Sequence, residues 1–144
     1  MGFKLVDGPV DIREYPADQT HGSFQAGDLV DLSDGEVILS AATTKVFGVA
    51  LKDYGASATI IPVCIIHGDQ TWLTEAATTT TTAMCGIGYG LTKTAGGACL
   101  DNTDTGDVEA VILKLDPRDG ATTGAGGRVH IRFQDRLNQT QIDA

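Results

Sequence analysis

The rhythm of its apolar residues most constrains how this 144-residue chain can fold. Short runs rich in β-branched side chains return roughly every 8 to 12 residues, closed by turn formers and without a sustained 3.6-residue period. GDLVDL and EVILS flank Ser33-Asp34-Gly35, which reads as a hairpin. VFGVAL (46–51) runs into the turn Asp53-Tyr54-Gly55, and ATIIPVCIIHG follows it as a strand. Pro62 has no N–H to give a ladder, so that strand is expected at an edge or at a bulge. VEAVILKL (108–115) and VHIRFQ (129–134) complete the set. In the last of these Val129, Ile131 and Phe133 share one face, and His130, Arg132 and Gln134 share the other. The pattern predicts an all-β fold, an antiparallel β-barrel or β-sandwich, with at most one short helix near Glu75–Met84. The 18 glycines and the low aromatic share of 6% agree with a turn-rich chain.

The expected organisation is a single β domain over 21–136, preceded by an extended arm, residues 1–20, that carries two prolines and no period. DPRDGATTGAGG (116–127) reads as a mobile glycine-rich connection, and 137–144 as a C-terminal tail or arm. Thr78–Thr82 reads as a loop or edge segment leading into a strand over Cys85–Leu91, because β-branched side chains favour extended backbone. Trp72, the only tryptophan, is expected in the core.

Net charge is −9, so the field of the whole chain repels phosphate backbones and anionic bilayers, and neither nucleic acid nor a membrane is expected as a partner. Residues 53–113 hold seven acids and one base, Lys93, whereas 114–144 hold five bases, Lys114, Arg118, Arg128, Arg132 and Arg136, against four acids. That last segment either faces an acidic partner or is a solvated mixed-charge tail, and His130 is a candidate interface residue within it. Cys64, Cys85 and Cys99 lack C-x-x-C spacing and read as small apolar residues in a reducing cytoplasm. MGFKLVDG has no signal-peptide core, and Val6 stands where myristoylation needs Ser or Thr.

Motifs that would carry chemistry fail on their spacing. Gly86-Ile87-Gly88-Tyr89-Gly90 brings its third glycine one residue too early for a dinucleotide loop, and LTKTAGG stands where the helix should begin. In an EF-hand frame with Gly106 at position six, Thr103 and Thr105 fall at positions three and five and Ile112 at twelve. DNTDTGD (101–107) therefore reads as an Asx-type turn. Cys64 and His67 should point to opposite faces of a strand, whereas His67 and Asp69 form a dyad if the strand extends to them. His21 reads as a surface or structural histidine. No catalytic, cofactor or metal site is assigned, and the chain is not expected to be an enzyme.

Taken together, GDLVDLSDGEVILS, KVFGVALKDYGAS and IIPVCIIHGDQTWL resemble the small β-rich capsid decoration, or cement, proteins of tailed bacteriophages, across roughly residues 21–115. The resemblance implies a barrel or tulip-like domain with terminal arms, often in trimers or other small oligomers. It also implies binding to the outer surface of the virion, where such proteins bridge major capsid protein subunits. On that basis Phe3, Leu5, Val6, Val10, Ile12 and Tyr15 of the N-terminal arm are the expected adhesive residues. The competing expectation is a β-sandwich that binds carbohydrate or a host surface through an exposed aromatic platform drawn from Trp72, Tyr15, Tyr54 and Tyr89.

Overall fold

A computed structural model describes residues 2–17, 25–33, 35–39, 46–53, 60–94, 97–106, 109–119, 122–123 and 127–134. His21, Tyr54, Arg136 and the expected C-terminal tail lie outside these residues. The strands in chain order are β1 (Lys4–Asp7), β2 (Ile12–Pro16), β3 (Leu29–Ser33), β4 (Glu36–Leu39), β5 (Gly48–Ala50), β6 (Ile60–Ile65), β7 (Thr71–Glu75), β8 (Thr80–Thr81), β9 (Gly88–Thr94), β10 (Gly97–Asp101), β11 (Ala110–Leu115), β12 (Thr122–Thr123) and β13 (Arg128–Phe133). Single 3₁₀ turns occupy Thr82–Met84 and Pro117–Asp119.

Two antiparallel sheets account for most of these strands, in the orders β1-β7-β13-β11-β9-β10 and β2-β6-β5-β3-β4, and β12 pairs with β8 in a small ribbon. No closed barrel forms among the described residues, and the architecture is a β-sandwich. The apolar alternation explains why the sheets stack. Leu29, Val49 and Cys64 of the second sheet meet Trp72, Ile112, Ile131 and Phe133 of the first in one core. Phe133 packs against Trp72 at 5.9 Å, edge to face, and against Phe3 at 5.4 Å.

The second sheet buries its other face as well. Val30, Val37, Ile61, Val63 and Ile65 form a separate cluster, joined by Phe47 and, edge-on at 5.1 Å, by Tyr15. The sheet curls over this cluster until Ala17, just past β2, bridges Val37 of β4. Curling brings strands close, and the middle strand shows it at Gly48. A Cβ there would lie 2.3 Å from Val63 Cγ1 and 2.7 Å from the Cys64 carbonyl oxygen, so only glycine fits.

Pro62 lies in a strand with a neighbour on either side, and the ladder stops where its missing N–H begins to matter. Ile66 N–H donates to Phe47 O, so bonded pairs between β5 and β6 fall at every second residue from there. The next but one would require a donor from Pro62 to Leu51, and pairing ends at Ala50 with Val63. On its other side Pro62 faces Glu14 in a pair that exchanges no bonds.

The N-terminal segment is extended, as expected, but it is not an arm that projects from the domain. β1 pairs with β7 and β2 with β6, so residues 4–16 supply the edge of both sheets. The physical reason is that Phe3, 4% exposed, fills a position between the sheets that the later strands leave open. The strand expected from Cys85 begins only at Gly88, because Gly86 turns the chain with φ +86°. The threonine run became β8 and a 3₁₀ turn, held by Asn102, which accepts from Thr78 N at 3.0 Å and donates to Thr79 O at 2.9 Å. Part of the glycine-rich connection is likewise structured, as the 3₁₀ turn Pro117–Asp119 and as β12.

Phe3→Ala should destabilise the fold by about 3 kcal/mol in chemical denaturation, the cost of emptying a buried aromatic site. A residue on a free arm would cost nothing measurable, so the two placements of the segment give opposite results.

Candidate functional site

The chain passes from the first sheet to the second through Gly8-Pro9-Val10-Asp11, and this crossover borders an apolar depression of the described surface. Gly8 has φ +107°, and a Cβ there would meet Asp69 O and Gln70 Cα, each at 2.9 Å. The crossover is therefore tight against the β6–β7 connection. Gln70, fully buried, holds the two together with both ends of its amide. Its Nε2 donates to Pro9 O at 2.8 Å and to Ile65 O at 3.0 Å, while its Oε1 accepts from His67 N at 2.7 Å and from Trp72 Nε1 at 3.2 Å. Every hydrogen-bonding group of the amide is satisfied, as burial requires.

Between β1 and β2 lies a groove of about 540 Å³. Phe3, Leu5, Cys64 and Trp72 line its interior, and Val10, Ile12 and Leu51 form an exposed apolar rim. Val10 is 66% and Ile12 54% exposed; with Ile60 at 55% they are the most exposed of the large apolar side chains described. Of the six expected adhesive residues, Phe3, Leu5, Val10 and Ile12 thus converge on one site. Phe3 does so from within the core, so it supports the groove and is not a free contact residue. Val6 belongs elsewhere, to a depression of about 430 Å³ shared with Asp7, Thr71, Leu113, Lys114 and His130. Tyr15 faces Phe47 in the second cluster and is half-buried there.

Among the described residues, the basic side chains near the C-terminus do not form one cationic face. Asp119 binds Arg128 through backbone and side chain, at 2.8 Å to N and 2.9 Å to Nε. Asp116 binds Arg118 at 2.7 Å and reaches His130 Nε2 at 3.3 Å. Arg132 is exposed. The Arg128 guanidinium and amide hold the Asp119 carboxyl down at about 2, and Arg118 holds Asp116 lower still.

His67 does not pair with Asp69. β6 ends at Ile65, so the shared face that such a dyad needs is lost, and His67 Nε2 lies 2.8 Å from Asp11 Oδ2. Asp11 also binds Arg13 Nε at 3.0 Å, and both contacts draw its carboxyl below the ordinary range. The acidic turn behaves as an Asx motif, with Asp101 Oδ1 accepting from Thr103 N and Asp104 Oδ1 from Gly106 N. Among the described residues no group of three His, Cys, Asp or Glu could hold a metal ion, and no helix is long and apolar enough to cross a membrane. Burial pushes the Cys64 and Cys99 thiols up, away from the reactive thiolate.

Val49 and Leu51 line the groove but were not legible as site residues, because they reach it only through the β5–β6 and β2–β6 pairings. Comparison with protein-family models gives no match, and comparison with curated proteins gives none either.

Gln70→Leu should cost about 3 to 5 kcal/mol in chemical denaturation, since it strands buried donors and acceptors on several segments at once. The carboxylate pairs set an acid dependence. Asp119 has a folded value below its unfolded one, so its contribution is complete above about pH 4 and disappears as pH falls towards 2. Arg128→Gln removes the partner, so the gap between wild-type and variant denaturation midpoints should shrink as pH falls through that window.

Proposed function

We propose that this is a structural protein that attaches to an assembled protein surface, a capsid decoration protein that binds the outside of a phage head and bridges major capsid subunits. The observation that carries this reading is the groove between β1 and β2, where exposed Val10, Ile12 and Leu51 frame a pocket floored by buried Phe3 and Trp72. Exposed aliphatic side chains around an apolar depression suit burial against another protein. The occupant is an apolar segment of the major capsid protein. Net charge of −9 favours a protein surface over packaged nucleic acid. The resemblance of residues 21–115 to decoration proteins points to the same class of partner.

Such a protein stabilises a shell by mass action. It binds assembled subunits and not dissociated ones, so occupancy adds to the free energy of opening the shell. The groove lies on a rigid scaffold, because Gln70 anchors the crossover that forms its rim, and little entropy is lost when a partner docks.

The carbohydrate-binding alternative needs an exposed aromatic platform. Trp72 and Tyr89 are buried and Tyr15 packs on Phe47, which leaves that reading without support from the described aromatics.

Shells assembled from the cognate major capsid protein should sediment with the wild-type chain bound. Val10→Asp together with Leu51→Asp should weaken that binding at least tenfold, with the fold preserved because both side chains are already exposed. Equal binding by the double variant would reject the groove as the attachment site. Failure of the wild-type chain to bind shells, with binding on a glycan array instead, would reject the decoration role.

A further inference from the structure

The sheet edges of this sandwich are unequally protected. At β10 the edge is met by the chain after β7, where Ala76 bridges Leu100 and Ala77 N–H donates to Leu100 O. At β4 it is met by Ala17 opposite Val37. That bridge is parallel, so the next residue back, Pro16, stands level with Glu36, where β4 begins. Ile12–Glu14 therefore lie beyond the start of β4, and all three are exposed.

Ladder parity shows which backbone groups this edge presents. Ile65 N–H donates to Asp11 O, so the odd-numbered residues of β2 turn their N–H and C=O towards β6. Ile12 and Glu14 turn theirs outward. An exposed strand of this kind is a template for another strand.

We infer that the β2 edge is a self-complementary surface that pairs with β2 of a second copy of this chain, antiparallel about a two-fold axis through Ile12. Charge selects the occupant and the register. With Ile12 opposite Ile12, Asp11 of each protomer stands opposite Arg13 of the other, and both residues occur twice in an alternating ring of carboxylates and guanidiniums. Within one protomer the same two groups already meet at 3.0 Å, so their side chains are oriented for it. Centring the axis on Arg13 would oppose two arginines, and centring it on Glu14 would oppose two glutamates, each a destabilising cross-strand pair. The interface is isologous and closes at two copies, in place of the trimer implied by the family resemblance. The inference stands independently of the capsid role.

Sedimentation of the full chain over a range of concentrations provides the test. Wild-type protein should reach twice its 15.0 kDa chain mass. Asp11→Arg opposes like cations across the axis and Arg13→Asp opposes like anions, so each variant alone should dimerise at least tenfold more weakly. An equimolar mixture of the two should recover the dimer, because the charges then alternate again between unlike chains. Ile12→Pro removes the outward N–H at the axis and no ladder bond within the protomer. It should leave circular dichroism unchanged and abolish the dimer, which keeps the test decisive if the charge variants misfold. A wild-type chain that stays monomeric or forms a trimer overturns the inference, as does a dimer unaffected by Ile12→Pro, or a mixture of folded charge variants that remains monomeric.

Discussion

The buried amide of Gln70 is the contact on which the arrangement depends. A sandwich whose N-terminal segment serves both sheets must hold the crossover between them, and an apolar contact cannot fix direction there. Gln70 does so by bonding Pro9 on the crossover, Ile65 at the end of β6, His67 in the following turn and Trp72 in β7. One side chain thus sets the height at which the first sheet leaves the second. The indole of Trp72, itself 1% exposed, gains its only polar partner shown here from the same amide, so core and crossover are positioned together.

From that constraint the surface follows. Because the crossover is held close, β1 and β2 separate at the mouth of the sandwich and leave an apolar groove between two sheet edges. Because the second sheet curls about its own cluster, its far end meets β4 at Ala17, while its near end, around Ile12, runs on past the start of β4. The groove and the uncovered edge are neighbours, and Ile12 contributes its side chain to one and its backbone to the other. A partner that fills the groove and a copy that extends the sheet would use different groups of the same residue.

Much of the fold was legible in the chain. The hairpin at 29–39, the alternation of Val129, Ile131 and Phe133, and the core position of Trp72 follow from local pattern, since side-chain period and turn chemistry act over a few residues. β1 and β2 were not legible as strands of the domain, because KLVD and IREYP mix charge with apolar residues and include a proline. Edge strands have one neighbour and tolerate such composition. β7 and β10 were missed for a related reason, that threonine, glycine and alanine give a weak apolar signal although Trp72, Cys99 and Leu100 are buried. The candidate site was visible in part. Val10 and Ile12 stand out as apolar residues in a polar stretch, but their partners Leu51, Cys64 and Trp72 lie far away along the chain.

Local pattern is enough to give the class of structure: an all-β chain with one wet and one buried face on its last strand, and Asx turns in place of a calcium loop. Those features depend on neighbours within a few residues. Tertiary contacts place the N-terminal segment in both sheets, set His67 against Asp11 instead of Asp69, and bring Asp116 to His130 and Asp119 to Arg128. Each of those outcomes depends on register between strands distant in sequence, and register is set by the joint packing of two sheets.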